Sequence, residues 1–274
     1  MKTYKSIDVL ISTYGERIFD VEKVIKEPRS GVRYLICHQG LDNLFGIHPF
    51  VTRKDVKYFY LNSIGVTKSR NHLLNLSDSD VCYFCDDDIQ LADDFETILR
   101  ESHNSDTSSV ITFRVDDENG MSRKKIISNC VTFRNVFNIL SVGTIEISIK
   151  RDSLGYIRFC DYIGAGSNIP IGDEAIFLSC FLKNKQKVSY HPKVIASHPF
   201  DSSGGIPDLK TVYARGVTIR KVYGVFTGIP MLIVFLVLRR NLILNPKILP
   251  GLITFIRGFF LHQIESLKTK GKEI

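Results

Sequence analysis

Apolar residues in the first two hundred positions come in short runs divided by polar turns, and between several runs the spacing changes from that of strands to that of helices. Ile7–Ser12 has the length and character of a buried strand, Val32–Cys37 of a second and Lys57–Leu61 of a third, with Val81–Cys85 and Val110–Val115 following. Arg17–Lys26 has the pattern of a short helix. Gly65–Leu76 puts Val66, Leu73 and Leu74 on one side of a helix and keeps Lys68 and Arg70 near its N-terminal end. Asp173–Lys183 is nearly all apolar after its first two residues, the pattern of a buried helix. Lys187–Ser197 is strand-like but contains Pro192, which predicts an edge strand or two short pieces. Strands alternating with helices argue for an α/β fold with a largely parallel sheet.

Past Pro207 the pattern changes. Gly224–Leu238 is almost wholly apolar and is bounded by Arg220-Lys221 and Arg239-Arg240, but Gly228 and Pro230 interrupt it. It is shorter than the roughly 20 apolar residues that span a bilayer. A second apolar stretch, Ile248–Leu261, carries Pro250 and Arg257. The division predicted is a domain over 1–207 and a basic, apolar helical extension over 208–274. Two short apolar helices with basic flanks fit a segment lying in the membrane interface; the alternative is helices packed on the first domain or on a second subunit of a homo-oligomer.

Composition narrows the picture. With 274 residues, 44% hydrophobic and 24% charged, the chain is long enough for one large domain with an appendage. The net charge of +7 is concentrated late: residues 209–274 hold 11 Lys and Arg against only Glu265 and Glu273, which leaves the first 208 slightly acidic. A nucleic-acid binder would show its basic stripe on the folded domain. Positive charge on an apolar tail suits an anionic membrane surface better, so no nucleic-acid partner is expected. The six cysteines are scattered and no apolar signal-peptide core follows Met1, which predicts a cytoplasmic protein with reduced thiols. Cys82-x-x-Cys85 lacks the second ligand pair of a structural zinc site.

Candidate chemistry begins where the fourth strand ends, at Asp86-Asp87-Asp88. In an extended segment Asp86 and Asp88 share a face, roughly 7 Å apart at about 3.3 Å per residue. Like charges that close cost about 2 kcal/mol at an effective dielectric near 20, so a divalent ion or basic side chains should sit among them. Open parallel sheets bind ligands just beyond the carboxyl ends of their strands. No glycine-rich phosphate loop follows the first strand. Its place is taken by Ser12-Thr13-Tyr14-Gly15-Glu16-Arg17, a polar turn whose Tyr14 is suited to stacking on a base.

The order Gly65-Val66-Thr67-Lys68-Ser69-Arg70-Asn71, then Val81–Cys85, then Asp86-Asp87-Asp88, resembles the family 2 glycosyltransferases of the GT-A fold. There a helix bearing an Arg-Asn pair precedes a strand ending in Asp-x-Asp. Gly164-Ala165-Gly166, Gly172-Asp173-Glu174 and His191-Pro192…His198-Pro199 follow in the family's order, so the resemblance covers roughly residues 5–200. It implies a GT-A domain, Rossmann-like with a mostly parallel central sheet, and the pattern past Pro207 adds a C-terminal amphipathic helical extension.

For the site, the resemblance implies a divalent cation, Mn2+ or Mg2+, with Asp88 as the direct ligand, Asp86 facing metal or ribose, Asp87 orienting its neighbours, and His198 as a further ligand. Thr13, Tyr14, Glu16, Gln39, Arg70, Asp86 and Asp87 become candidates for the nucleotide sugar. Arg70 is suited either to the diphosphate or to a salt bridge with the same aspartates. Cys37-His38-Gln39-Gly40 stands where the family often has an acid after the second strand, leaving Gln39, Asp42 or neither to meet the base, and a uracil base is implied by the family alone. The general base of an inverting transfer is an acid at a helix start; by position it is Glu174, with Asp173 as the alternative. The helix macrodipole would keep either one ionised.

The function implied is transfer of a sugar from a nucleotide-diphosphate donor, a UDP-sugar, to a glycan acceptor in bacterial surface-polysaccharide synthesis. The tail adds the expectation that the acceptor rides on a polyprenyl-diphosphate lipid and that the protein is peripheral on the inner face of the cell membrane. A sugar nucleotidyltransferase or a non-catalytic membrane-associated protein of the same fold are the alternatives.

Overall fold

The computed structural model describes residues 3–40, 49–122, 128–198, 208–244 and 248–270. Asp42, Pro199 and residues 271–274, named above, lie outside these. Strands β1 (Ile7–Tyr14), β2 (Val32–Gln39), β3 (Val56–Leu61) and β4 (Val81–Asp86) pair in parallel in the order β3-β2-β1-β4. Every residue of β1 before Tyr14 is buried, as strands covered on both faces require. Side-chain alternation sends Ile7, Val9, Ile11, Val81, Tyr83 and Cys85 into one core. Leu10, Cys82 and Phe84 enter the other. Cys82 and Cys85 therefore point to opposite faces and cannot converge on one ion.

The first core is closed by α1 (Val21–Val24) and by Phe95 and Leu99 of α3 (Phe95–Ser105). Leu73 and Leu74 of α2 (Val66–Leu76) and Phe177, Leu178 and Phe181 of α4 (Asp173–Lys183) close the second. Within it Phe159 stacks on Phe177 at 3.9 Å between centroids, with Phe84 edge-on to both. Asp8, fully buried in β1, accepts two hydrogen bonds from Arg33 and one from Ser77, the satisfaction that a buried carboxylate demands.

Beyond β4 the sheet continues through antiparallel β8 (Ile147–Lys150) to β6 (Val110–Asp116) and β9 (Val188–Ser197), which runs parallel to β6. Two reversals return β6 and β9 to the direction of β4, so β1, β4 and β9 all end on one edge. The two-residue strands β5 (Gln90–Leu91) and β7 (Thr132–Phe133) pair with opposite ends of β9. Pro192 falls between those partners and at a register shift against β6. A strand interior thus tolerates proline: the edge-strand alternative is corrected, and the missing N–H lies where the ladder has a gap.

The helix anticipated over Arg17–Lys26 is a 3-10 turn, Gly15–Asp20, followed by the single turn α1. The segment ends before Pro28, whose ring disfavours helical backbone at Glu27.

The C-terminal helices are α5 (Leu209–Tyr223), α6 (Gly228–Leu238), α7 (Arg240–Leu244) and α8 (Ile248–Lys270). Asp208 caps α5 by accepting from the Thr211 amide at 2.6 Å. Val217 and Val222 of α5 share the core of α4, so the second core continues past residue 208. Val212, Ile219, Leu232, Ile243, Phe255 and Phe259 make a small third core among the tail helices. A Cβ on Gly216 would lie 2.2 Å from the Phe255 carbonyl oxygen and one on Gly258 2.1 Å from that of Tyr213, so only hydrogens fit where α5 and α8 cross. Pro230 and Pro250 sit in first helical turns, where a missing N–H costs no bond. Among the described residues no helix is long and apolar enough to cross a membrane.

Candidate active site

The sheet edge where β1, β4 and β9 end gathers two ion clusters. The first is built on α2 and α4. Residues 164–166 wedge against the start of α2: the Val66 amide donates to the Ala165 carbonyl at 3.0 Å, and a Cβ on Gly164 would meet Thr67 at 2.9 Å and the Asp173 carboxyl carbon at 3.2 Å. That close approach brings the first turns of α2 and α4 together. Arg70, nearly buried, then donates to Asp173 at 2.7 Å and to Asp86 at 3.3 Å, with Glu174 at 4.0 Å. Asn71 fixes the neighbouring segment by donating to the Phe159 carbonyl and the Asp161 carboxylate and accepting from the Phe159 amide. Each half of the Arg-Asn pair thus has its own task.

Electrostatics in this cluster are opposed. Burial works against the charge of Arg70, and Asp173, Asp86 and Glu174 overcome it, raising its pKa above the ordinary value. Burial, reinforced by Glu174 and partly offset by Arg70, pushes Asp173 well above the usual carboxylate range. Asp86 is raised in the same direction by burial against Arg70. Glu174 is the more accessible acid and accepts from the Thr144 hydroxyl at 2.5 Å.

The second cluster lies around the end of the triplet. Asp87 is buried and bonded to Arg17, which also donates to Asp88 Oδ2 at 2.7 Å. The other Asp88 oxygen lies 3.2 Å from His198 Nε2, at the end of β9. The hydrogen bond with His198 holds Asp88 below its ordinary value despite partial burial, while burial lifts Asp87 to about 6 against the pull of Arg17.

The remaining candidates lie along β1 and β2, whose register puts Tyr14 beside Gln39. Tyr14 is half exposed, its ring where a side chain on Gly40 would have to go. Gln39 is buried and donates to Ser63 at 3.2 Å. Thr13 is buried with its side chain against Asp87, whose pKa it lowers, and Glu16 is exposed on the 3-10 turn. His38 ties that turn down through Gly15 O at 2.9 Å. His191 belongs elsewhere, paired with Asp106 at 2.9 Å.

A divalent ion can be tested against these donors. Asp88 Oδ1 and His198 Nε2 are 3.2 Å apart, close to the edge of about 3 Å between adjacent ligands of an octahedral ion with bonds near 2.1 Å. Among the described residues no group of three or more His, Cys, Asp or Glu is placed to hold a metal ion by itself. The chain therefore offers one edge, which suits an ion held by one or two side chains plus substrate phosphates. Asp88 and His198 fit this role, whereas Asp86 faces Arg70 instead.

Arg17 and Thr144 carry no role in the sequence patterns. Arg17 was legible in principle: a cation just past the end of β1 lies beside acids at the end of the adjacent parallel strand, where like charge required one. Thr144 has no such signal.

No family model matches the chain, and no curated protein matches it. Among solved structures it is similar to S. aureus TarS, a family 2 GT-A glycosyltransferase, at 14% identity and TM-score 0.66, over 96% of this chain and 50% of that one. TarS 1-349 in complex with UDP gives 13% identity and 0.64 over 96% of this chain and 83% of that one. The complex of the same fragment with UDP-GlcNAc gives 13% and 0.63 over 93% and 81%. The chain thus spans half the length of the longer TarS structure. Identity this low establishes the architecture: the α/β fold is that of the GT-A glycosyltransferases.

Proposed function

We propose that the chain is an inverting, divalent-metal-dependent glycosyltransferase that moves a sugar from a UDP-sugar to a glycan acceptor carried on a polyprenyl-diphosphate lipid, in surface-polysaccharide synthesis. The observation that carries this reading is the meeting of Asp86, Asp88, His198, Arg70, Asp173 and Glu174 at one sheet edge. The fold is shared with structures that hold UDP and UDP-GlcNAc. Tyr14 stacks on the base and Gln39 hydrogen-bonds near it, at the ends of β1 and β2. Asp88 and His198 hold Mn2+ or Mg2+, which when bound supplies positive charge to the departing diphosphate. Glu174 takes the proton of the acceptor hydroxyl; its accessibility favours it over Asp173, which holds Arg70 in place.

The tail supports the acceptor and the location. Phe226 is 92% exposed, and Ile233, Val237, Leu238, Leu249, Ile253 and Phe260 also face outward, in a segment that carries Arg239, Arg240 and Arg257. Apolar side chains beside basic ones fit an anionic inner membrane face. Screening nucleotide sugars for Mn2+-dependent turnover tests the reaction. Activity with a UDP-sugar should vanish in EDTA and fall at least about a hundredfold in Asp88→Ala; turnover that survives either treatment refutes the metal-dependent transferase. Removing residues 224–274 should move the protein from membrane to soluble fractions, and unchanged fractionation speaks for packing alone.

A further inference from the structure

Among the described residues, Arg17 is the cation at the open cluster whose position the proposed reaction leaves without a task. Its guanidinium bridges buried Asp87 and the Oδ2 atom of Asp88, while Oδ1 of the same carboxylate faces His198. Its side chain is 53% exposed and springs from a 3-10 turn directly after β1. Among the described residues its charged partners are these two acids, so its hold depends on them. A cation resting on Asp88 and His198 would share its carboxylate with Arg17, and two positive groups on one carboxylate repel.

We propose that Arg17 is a diphosphate-binding residue of the donor site, stored on Asp87 and Asp88 until a divalent cation arrives at Asp88 and releases it to the phosphates that the cation brings. This rests on the nucleotide-sugar reading above. The released guanidinium is within one side-chain swing of an ion on Asp88, and an ion held by so few protein ligands takes phosphate oxygens for the rest. Arg is also the side chain best matched to phosphate, through paired N–H donors. Storage and use are successive states of one residue: Asp88, which shares Arg17 with Asp87 before binding, is the acid the cation satisfies afterwards.

The two states predict opposite effects of one substitution. In the full chain, Arg17→Gln should bind Mn2+ alone about three- to tenfold more tightly, since the ion no longer competes with Arg17 for the partly exposed Asp88. The same variant with Mn2+ present should bind UDP about tenfold or more weakly, and uridine, which lacks phosphates, as wild type does. Arg17→Lys should recover part of the UDP affinity, because it restores the charge without the fork. Mn2+ binding by electron paramagnetic resonance and nucleotide binding by calorimetry supply these readouts, with melting curves to confirm that both variants are folded. Mn2+ affinity that is unchanged or weaker in Arg17→Gln, or losses that are equal for UDP and uridine, overturns the inference. A wild-type chain that binds neither Mn2+ nor UDP overturns the functional reading and this inference together. Wild-type binding of both that Arg17→Gln leaves untouched overturns the inference alone.

Discussion

Arg70 and Arg17 each hold two aspartates at the same sheet edge, and burial separates them. The Arg70 side chain is 6% exposed and locked between α2, α4 and the end of β4, while Arg17 is 53% exposed on a turn. Charges withdrawn from water must stay paired, since an orphaned member is costly. An exposed pair gains little and is readily exchanged. The same chemistry therefore makes a fixed part of the scaffold in one place and a movable part in the other.

The sharpest way to break this contrast is Arg70→Ala. It leaves Asp173 and Asp86 buried without their cation and should cost about 3–5 kcal/mol at pH 7, measured by urea unfolding. Both carboxyls already sit above their ordinary pKa, so the cost should shrink in acid as they take up protons. A loss below 1 kcal/mol would show that Arg70 is no more structural than Arg17.

Asp87 is intermediate, buried itself but held by an exposed partner. Its folded pKa of about 6 lies above the ordinary value of 3.8. Between those values the folded state binds more protons than the unfolded one, so stability falls as pH rises through that window and stays reduced above it. Asp87→Asn should remove this dependence and stabilise the protein at pH 7–8 by about 1–3 kcal/mol, with the gain gone below about pH 4. Unfolding curves across pH 4–8 that run parallel for both proteins would contradict it. The smallest effect belongs to Arg17→Gln, about 1–2 kcal/mol at pH 7 because it leaves buried Asp87 without its cation, and shrinking in acid as Asp87 takes up its proton.

Most of the sheet was legible because its strands are written as short, mainly apolar runs: β1, β2, β3, β4 and β6 each appear as one despite Asp8, Arg33, Lys57 and Arg114 within them. The elements that escaped did so for physical reasons. Helix α3 turns Ser102 and His103 inward, with His103 bonded to Ser148 at 2.7 Å, so two of its five buried residues are polar and its apolar stripe stops after Leu99. Strands β5 and β7 are two residues long and are defined by β9, not by their own pattern. At the site the acid triplet, Arg70, His198 and the acid pair were visible as charges at element ends. Which acid faces which cation was not, since that depends on contacts across 70 to 103 positions of sequence.

The packing of α5 also decides how this chain can be recombined. Gly172, immediately before the acid pair, holds a left-handed conformation at φ +100°, and a Cβ there would strike the Thr218 hydroxyl at 1.9 Å. The back wall of the catalytic helix is thus supplied by a helix that composition assigns to the tail. A chimera that grafts another protein's tail onto this domain should be spliced at Gly224, after α5 has ended. Spliced at residue 208, it would import a foreign surface against Gly172 and retune the acids along with the anchor.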